Sequence, residues 1–560
     1  MISALSVAGV LSIPLAASAS VPQYGSLNVL PGQGFGLGDT TFVSAEQSDG
    51  KIIVGGMLSN YDDGTGHPIS GIARLNSDGT FDTSFNPSGT GLVGQGVSVN
   101  TIVVLSSGKI LVGGNFAGYD DGSTNYVNGI IRLNADGSFD PTFNTSGTGI
   151  TGYQVQTIAV QSDGKILVGG EFTSYDDGSP HTVGKIFRLN SDGTFDSSFS
   201  PGTGFDGAVA SIAVQPDGKV VVGGSFTTYF DGPSHPTGNI ARLNTNGTFD
   251  SGFYAGGGFS GSLSGASSSN VFSLSLLSSG DVLVGGDFTN YSDSTYHQIA
   301  GLARLNSSGA LDTSFNSGNG FDKQVSTVIV NNDGSYLVGG AFTSFHDGSP
   351  HPVGGIAQLT NTGSFDPRFS PGAGFSGSGV IGMTVLRNGL ISVSGAFLSY
   401  AGSASYSVGN YAQLFGTAFT SFFVPRTQSL SGTVGTPITP TVAFAAAGMP
   451  NGPITYSVSP ALPAGLSIDP STGVISGTPT VAVSGTYTIT ATNSASPALS
   501  TTATITFSIS GSGSSSSGSS SGVSALATSG TELTGPLGLS AIALGSIGGL
   551  LLFARRKPVA

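Results

Sequence analysis

Between residues 40 and 415 the chain alternates short apolar runs with turn-forming residues, and the runs recur in nearly the same wording: IIVGG from Ile52, ILVGG from Ile110 and from Ile166, VVVGG from Val220, VLVGG from Val282 and YLVGG from Tyr336. Runs of four to six β-branched and aliphatic residues bounded by Gly, Asp and Ser predict strands. The first glycines of successive pairs lie 58, 56, 54, 62 and 54 residues apart, and the degenerate pair Ser394-Gly395 follows after 55. A fixed period of this size marks a repeat architecture. The third unit reads VQTIAVQ, SDG, KILVGGEF, YDDGSPH, GKIFRLN, SDG, TFDSSF from Val155, which predicts four strands in an antiparallel meander. Asp49-Gly50, Asp78-Gly79, Asp163-Gly164 and Asp192-Gly193 fit two-residue hairpin turns. The inner runs are continuously apolar, so both faces of each sheet must be covered, as when blades stack around an axis.

Seven such units over residues 24–416 predict a seven-bladed β-propeller. The segment YGSLNVLPGQGF from Tyr24 looks like the end of a unit without its beginning, and the seventh unit, Val380 to Phe415, lacks a fourth run. The N-terminal piece is therefore expected to complete the last blade and remove the open edges. After Phe423 the text changes to Thr/Val/Ile-rich strands, and residues 429–510 predict an Ig-like β-sandwich. The expected fold class is all-β, with one C-terminal transmembrane helix.

The recurring phrase G-K-I-L-V-G-G-x-F…R-L-N-x-D-G-x-F-D-x-x-F resembles the Delta-60 repeat family of bacterial β-propellers, which implies the fold and no common activity. LPAGLSIDPSTGVISGTPT, from Leu462, resembles the Ig-like family of bacterial surface proteins related to cadherin-like domains. That resemblance implies a spacer or adhesion module, with calcium binding in some relatives.

The two ends read as addresses. Leu5 to Ala17 is apolar and Ala17-Ser18-Ala19 is a small-x-small site, which predicts a signal peptide over residues 1–19, although no Lys or Arg precedes Lys51. A Ser/Gly linker covers 511–525 and a sorting-signal-like segment 526–557. In that segment the 18 uncharged residues 537–554 would rise about 27 Å as a helix, enough to span a bilayer. Arg555, Arg556 and Lys557 then form a membrane stop that leaves everything N-terminal to them outside. Leu526, Ala527, Thr528, Ser529 and Gly530 complete an order that resembles the cell-wall sorting signal of Gram-positive surface proteins. It departs from that pattern at Ser529, where the family has Thr. The resemblance implies a cell-wall- or membrane-anchored protein on the outer face of a Gram-positive-type bacterium, with a sortase as processing partner.

Composition narrows the function. Of 560 residues, 90 are Gly, and charged residues are 9%. The chain has no Cys, which excludes disulfides, thiolate metal sites and a Cys nucleophile. A net charge of −14 argues against nucleic acid as a partner. The segment after each second strand (YDDGTGHP from Tyr61, YDDGSPH from Tyr175) carries the most distinctive chemistry and holds all six histidines, His346 among them. Paired carboxylates at Asp62, Asp63, Asp120, Asp121, Asp176 and Asp177 are hard oxygen donors that suit Ca²⁺. His67, His181, His235, His297 and His351 would share a ligand face with them, where Tyr could stack on sugar rings. The same residues also make good turns, and repetition multiplies them. Arg74, Arg132, Arg188, Arg242 and Arg304 recur in the third run and Asp82, Asp140, Asp196, Asp250 and Asp312 in the fourth, a spacing that predicts structural pairs.

No G-x-S-x-G, P-loop, dinucleotide or H-E-x-x-H motif occurs, so no enzyme and no required cofactor are expected. The expected function is adhesion or ligand binding at the cell surface, with an envelope or host polymer or protein as partner. The alternatives are a secreted polysaccharide hydrolase or lyase on a propeller scaffold and a passive surface-layer component. A non-repeated acid/base pair in one blade would favour the enzyme.

Overall fold

The computed structural model describes residues 24–511, except 31, 37, 254–255, 316–317, 332, 403–404, 417–421, 425–426, 442–444, 448–453 and 494–499. The expected signal peptide, most of the Ser/Gly linker, the sorting motif Leu526–Gly530, the span 537–554 and the stop Arg555–Lys557 lie outside the described residues. Among the described residues there is no helix, so none is long and apolar enough to cross a membrane. Two compact units emerge, one containing Gln23–Ala418 and the other Phe419–Gly538.

In the first unit each of the first six repeats builds a three-stranded antiparallel main sheet, such as Val155–Val160, Ile166–Gly170 and Ile186–Leu189 in the third, and the seventh lies in a five-stranded sheet that includes Leu27–Asn28. The fourth run of the expected meander is not a full strand in any of the first six repeats. It touches the third strand through one bridge, Leu75↔Phe81 in the first repeat and Leu189↔Phe195 in the third. The reason is local: after the bridge the chain turns at once to place Asp82 or Asp196 against the arginine of the third strand.

The Asp-Gly turns also differ from the expectation. Gly50 donates to the Gln47 carbonyl and Gln47 to that of Lys51, so the loop has three residues, with a positive φ only at Gly50 (83°). That geometry is a type I turn closed by a glycine bulge, the next commonest hairpin connection after the two-residue turns.

The first strands of successive main sheets lie against one another from repeat to repeat, and the strand Gly374–Val385 of the seventh packs back on Thr40–Glu46 of the first. This is a propeller-like arrangement. At the closure, Leu27–Asn28 pairs antiparallel with Tyr411–Phe415, the edge strand of the seventh sheet, as the Tyr24 segment predicted. Each Gly-Gly pair has two duties. A Cβ on Gly55 would lie 2.5 Å from Val99 Cγ1 of the next repeat, and one on Gly56 would lie 2.1 Å from the Thr40 carbonyl of its own sheet, at a bulge. The first glycine admits the neighbouring valine and the second admits the backbone.

The cores lie between sheets. Leu111 and Ile130 of the second repeat pack on Val155 and Ile158 of the third, all but fully buried. Burial of such side chains is worth about 1.5–3 kcal/mol each, and repetition places one such layer at each successive interface from the first repeat to the seventh.

The second unit has a four-stranded sheet in the order Thr427–Thr433, Ser500–Ser510, Val483–Asn493, Ile454–Ser459, whose first pairing is parallel. Tyr487, Ile489 and Ala491 alternate with polar residues, as do Ala503, Ile505, Phe507 and Ile509, and the apolar set forms the core with Leu430, Ile438 and Ile475. That period of two is the sandwich pattern the sequence predicted.

Candidate functional site

The Asp-Asp segment is a hairpin. In the third repeat Ser174–Asp176 and Pro180–Thr182 pair with each other, and Gly149–Thr151, the connection from the preceding repeat, pairs with the first arm. Tyr175 sits at its centre, fully buried, and donates its hydroxyl to the Gly193 carbonyl at 2.5 Å. Tyr61 and Tyr119 do the same to Gly79 and Gly137, and burial drives the three phenol pKa values far upward.

The two aspartates differ in role. Asp176 Oδ1 caps the Gly178 amide at 2.9 Å, and its Oδ2 accepts from Thr148 Oγ1 at 2.8 Å, fastening the connection from the second repeat. Asp120 repeats this with Gly122 and Thr90, and Asp62 caps Gly64. Asp177 Oδ2 accepts the Phe195 amide at 2.8 Å while Oδ1 meets His181 Nε2 at 3.0 Å. Asp63 makes the same two contacts with Phe81 and His67, and Asp121 accepts from Phe139. Partial burial works to raise the Asp63 and Asp177 carboxyls, and the amide and imidazole bonds outweigh it, holding both below the usual value.

Four of the imidazoles are lids on the fourth run. His181 stacks on Phe195 at 4.1 Å between centroids and 8° between planes, and His67, His235 and His351 stack on Phe81, Phe249 and Phe365 in the same way. His297, opposite Leu311, keeps the bond to Asp293 at 3.2 Å. His346 occupies the first-aspartate position and contacts Ser344 Oγ at 2.7 Å. The structure thus joins His67, His181, His235, His297 and His351 each to an Asp of its own repeat. Among the described residues no three His, Asp or Glu side chains are placed to hold a metal ion. Each carboxylate singled out for calcium already accepts from a donor of the protein, so the donor set does not fit that ion as arranged.

The arginine pairs form a second repeated cluster. Arg188 Nε reaches Asp196 Oδ2 at 2.6 Å, an Arg188 Nη atom crosses to the Thr245 carbonyl of the fourth repeat at 2.8 Å, and the guanidinium lies 5.0 Å from the centroid of Phe199. Lys165 Nζ joins Asp196 at 2.8 Å and Ser198 bonds the other carboxylate oxygen. Burial works to raise the Asp196 carboxyl, and the lysine, serine and arginine bonds outweigh it and push it well below the ordinary range. Arg74, Arg132, Arg242 and Arg304 are placed alike. In the sixth repeat Gln358 donates to Asp366, and in the seventh Asn28 donates to Gln413 at 3.0 Å, so the N-terminal strand supplies the missing partner. Sequence reading missed the lysine and the phenylalanine of this cluster. Their signal was a fixed offset, since Lys165, Arg188, Asp196 and Phe199 keep the spacing of Lys51, Arg74, Asp82 and Phe85.

With the repeated polar groups bonded within the protein, the distinctive surface groups are those outside the pattern. Tyr126, Tyr153 and Tyr296 are 75%, 71% and 70% exposed, each at a position where other repeats carry no tyrosine.

Six segments, 47–85, 105–143, 161–199, 215–253, 277–315 and 332–369, match the family model of a domain of unknown function described as a beta-propeller (DUF5122). Residues 420–534 match the model described as "Putative Ig domain". Matches to a β-propeller repeat and to an Ig-type domain thus stand in one chain, a pairing that fits an extracellular surface or ligand-binding protein. No curated protein matches. Among solved structures, a protein of unknown function from Bacteroides caccae is 14% identical, with 58% of this chain and 92% of that one covered at a TM-score of 0.27. One described as the extracellular domain of a hybrid two-component system from B. thetaiotaomicron is 10% identical, with 88% and 57% covered at 0.31. A gluconolactonase from Xanthomonas campestris is 13% identical, with 57% and 91% covered at 0.28.

Proposed function

We propose that this is a cell-surface protein in which a seven-bladed propeller, closed by the Tyr24 segment, serves as a binding head and the Ig-like domain as a spacer. The C-terminal segment anchors it to wall or membrane, and its work is adhesion or ligand binding without catalysis. The observation that carries this reading is the division of labour among side chains. The repeated Asp, His, Arg and Lys groups are engaged within the protein, whereas the rings of Tyr126, Tyr153 and Tyr296 stand out from it, Tyr296 with its hydroxyl donated to Asn290 Oδ1. Exposed tyrosine offers an apolar ring face with a polar tip, which suits the faces of sugar rings in an envelope or host polymer.

The test is a binding screen of the protein against glycans and envelope polymers, in calcium and in EDTA, with Tyr126→Ala, Tyr153→Ala and Tyr296→Ala beside the wild type. The reading predicts saturable binding, indifferent to EDTA, that at least one tyrosine substitution weakens about tenfold or more without moving the melting temperature. Absence of binding in both buffers would leave a structural surface component. Turnover of a bound polymer would establish the enzyme instead.

A further inference from the structure

The interfaces between successive main sheets share one chemistry, with a single exception. In the third repeat Leu167 and Ile186 face Val209 and Ile212 of the fourth, and the same four positions are apolar from the first repeat through to the sixth, aliphatic throughout except for Met383 at the last interface. Where the seventh sheet meets the first, Ser392 and Tyr411 stand in place of the Leu and Ile, and Thr41 and Ser44 in place of the Val and Ile. The exchange is reciprocal. Ser44 Oγ lies 2.8 Å from Ser392 Oγ, Ser392 Oγ donates to the Tyr411 hydroxyl at 3.0 Å, and Thr41 Oγ1 accepts the Gly395 amide at 2.8 Å. Thr384 Oγ1 adds a bond to the Ser44 carbonyl at 2.7 Å. All of these side chains except Thr384 are buried. Elsewhere hydroxyls at an interface lie beside the apolar layer without replacing it: Ser211 Oγ accepts the Leu274 amide, and Ser269 Oγ donates to Asn239 Oδ1 at 2.7 Å.

These two faces are also the only ones that a chain of sheets leaves uncovered before it closes on itself. Parting any other pair of sheets exposes a Val/Ile/Leu layer to water, at a cost proportional to area. Parting the seventh from the first gives up the Phe35–Tyr411 ring contact at 6.1 Å and the packing of Ile381, but the rest of that layer is hydroxyls, for which water replaces each lost bond at small net cost. We infer that the seam between the seventh and first sheets is the opening point of the ring, where it closes last and parts first. Polar faces keep the open form from joining a neighbouring molecule through hydrocarbon. Leu27–Asn28, bonded to the edge of the seventh sheet, is the latch that must lift with it.

Hydrogen–deuterium exchange on the full chain tests this. Peptides covering Thr40–Glu46 and Leu390–Ser394 are expected to exchange together and about tenfold faster than Val155–Val160 and Ile166–Gly170, their equivalents in the third repeat. Restoring the aliphatic layer with Thr41→Val, Ser44→Ile and Ser392→Leu should slow the seam to the rate of the other sheets. Ser44→Ala with Ser392→Ala, which adds no volume, should leave the third repeat unchanged. Seam peptides that exchange as slowly as those of the third repeat in the wild type would overturn the inference, and that comparison stands even if the aliphatic variant fails to fold.

Discussion

Gly113 and Val155 meet across a repeat boundary so closely that a Cβ on the glycine would lie 2.7 Å from Val155 Cγ1. The contact explains why Gly-Gly closes each second strand of the first six repeats: the glycine is the socket for the next repeat's valine. Gly113→Ala should therefore destabilise the first unit by about 1–3 kcal/mol through overpacking. Adding Val155→Ala should recover part of that loss. A double-mutant cycle on urea midpoints measures it, and strict additivity would refute the socket.

The arginine cluster is predicted to be the costliest polar feature to break. Asp196→Asn leaves Arg188 buried without its charge partner and should cost about 3–5 kcal/mol. Lys165→Met removes the more exposed partner of the same carboxylate and should cost about 1 kcal/mol or less. Equilibrium unfolding of the two variants side by side checks the order.

These carboxylates also set the response to acid. Burial opposes ionisation of Asp82, Asp140 and Asp196, and the lysine, hydroxyl and arginine bonds outweigh it, so each folded pKa lies below the unfolded value of about 3.9. A depressed carboxyl stabilises the fold at every pH above its unfolded value, and that contribution is lost as pH falls through the folded value. Their share of stability should be level from neutrality to about pH 4.5 and fall steeply below pH 4. Urea midpoints at pH 7, 4.5, 3 and 2 would show it; a midpoint as high at pH 2 as at pH 7 would contradict it.

The two aspartates of each hairpin should separate by mutation. Asp177→Asn weakens the bonds to the Phe195 amide and His181 and should cost about 1–3 kcal/mol. Asp176→Asn, at the rim, should cost about 1 kcal/mol or less. Melting of the single variants distinguishes them.

How much was legible in the sequence follows from what repetition reveals. Strand runs, the period and the completing role of the Tyr24 segment could be read because apolar runs and glycine pairs recur. The Arg188–Asp196 pair was legible for the same reason. The meander's fourth strand and the two-residue turns were misread because Asp-Gly text is shared by two-residue and three-residue hairpins, and only the Gln47–Lys51 bond decides. The roles of Asp177 and His181 were illegible because their partners are the Phe195 amide and ring, 18 and 14 residues away, and no composition signal marks a backbone amide. The polar seam shows in the sequence only after the repeats are aligned strand by strand, where Ser392 falls in a column of Leu, Ile and Val.

The central claim is that the Asp/His hairpins hold the propeller together and the binding surface lies elsewhere. The most direct test is the melting temperature of wild type and Asp177→Asn, each in calcium and in EDTA. The account predicts that the variant melts lower by the same margin in both buffers and that EDTA leaves the wild type unchanged. A wild type that loses stability in EDTA, beside a variant that does not respond, would make the hairpin a metal site and contradict the account.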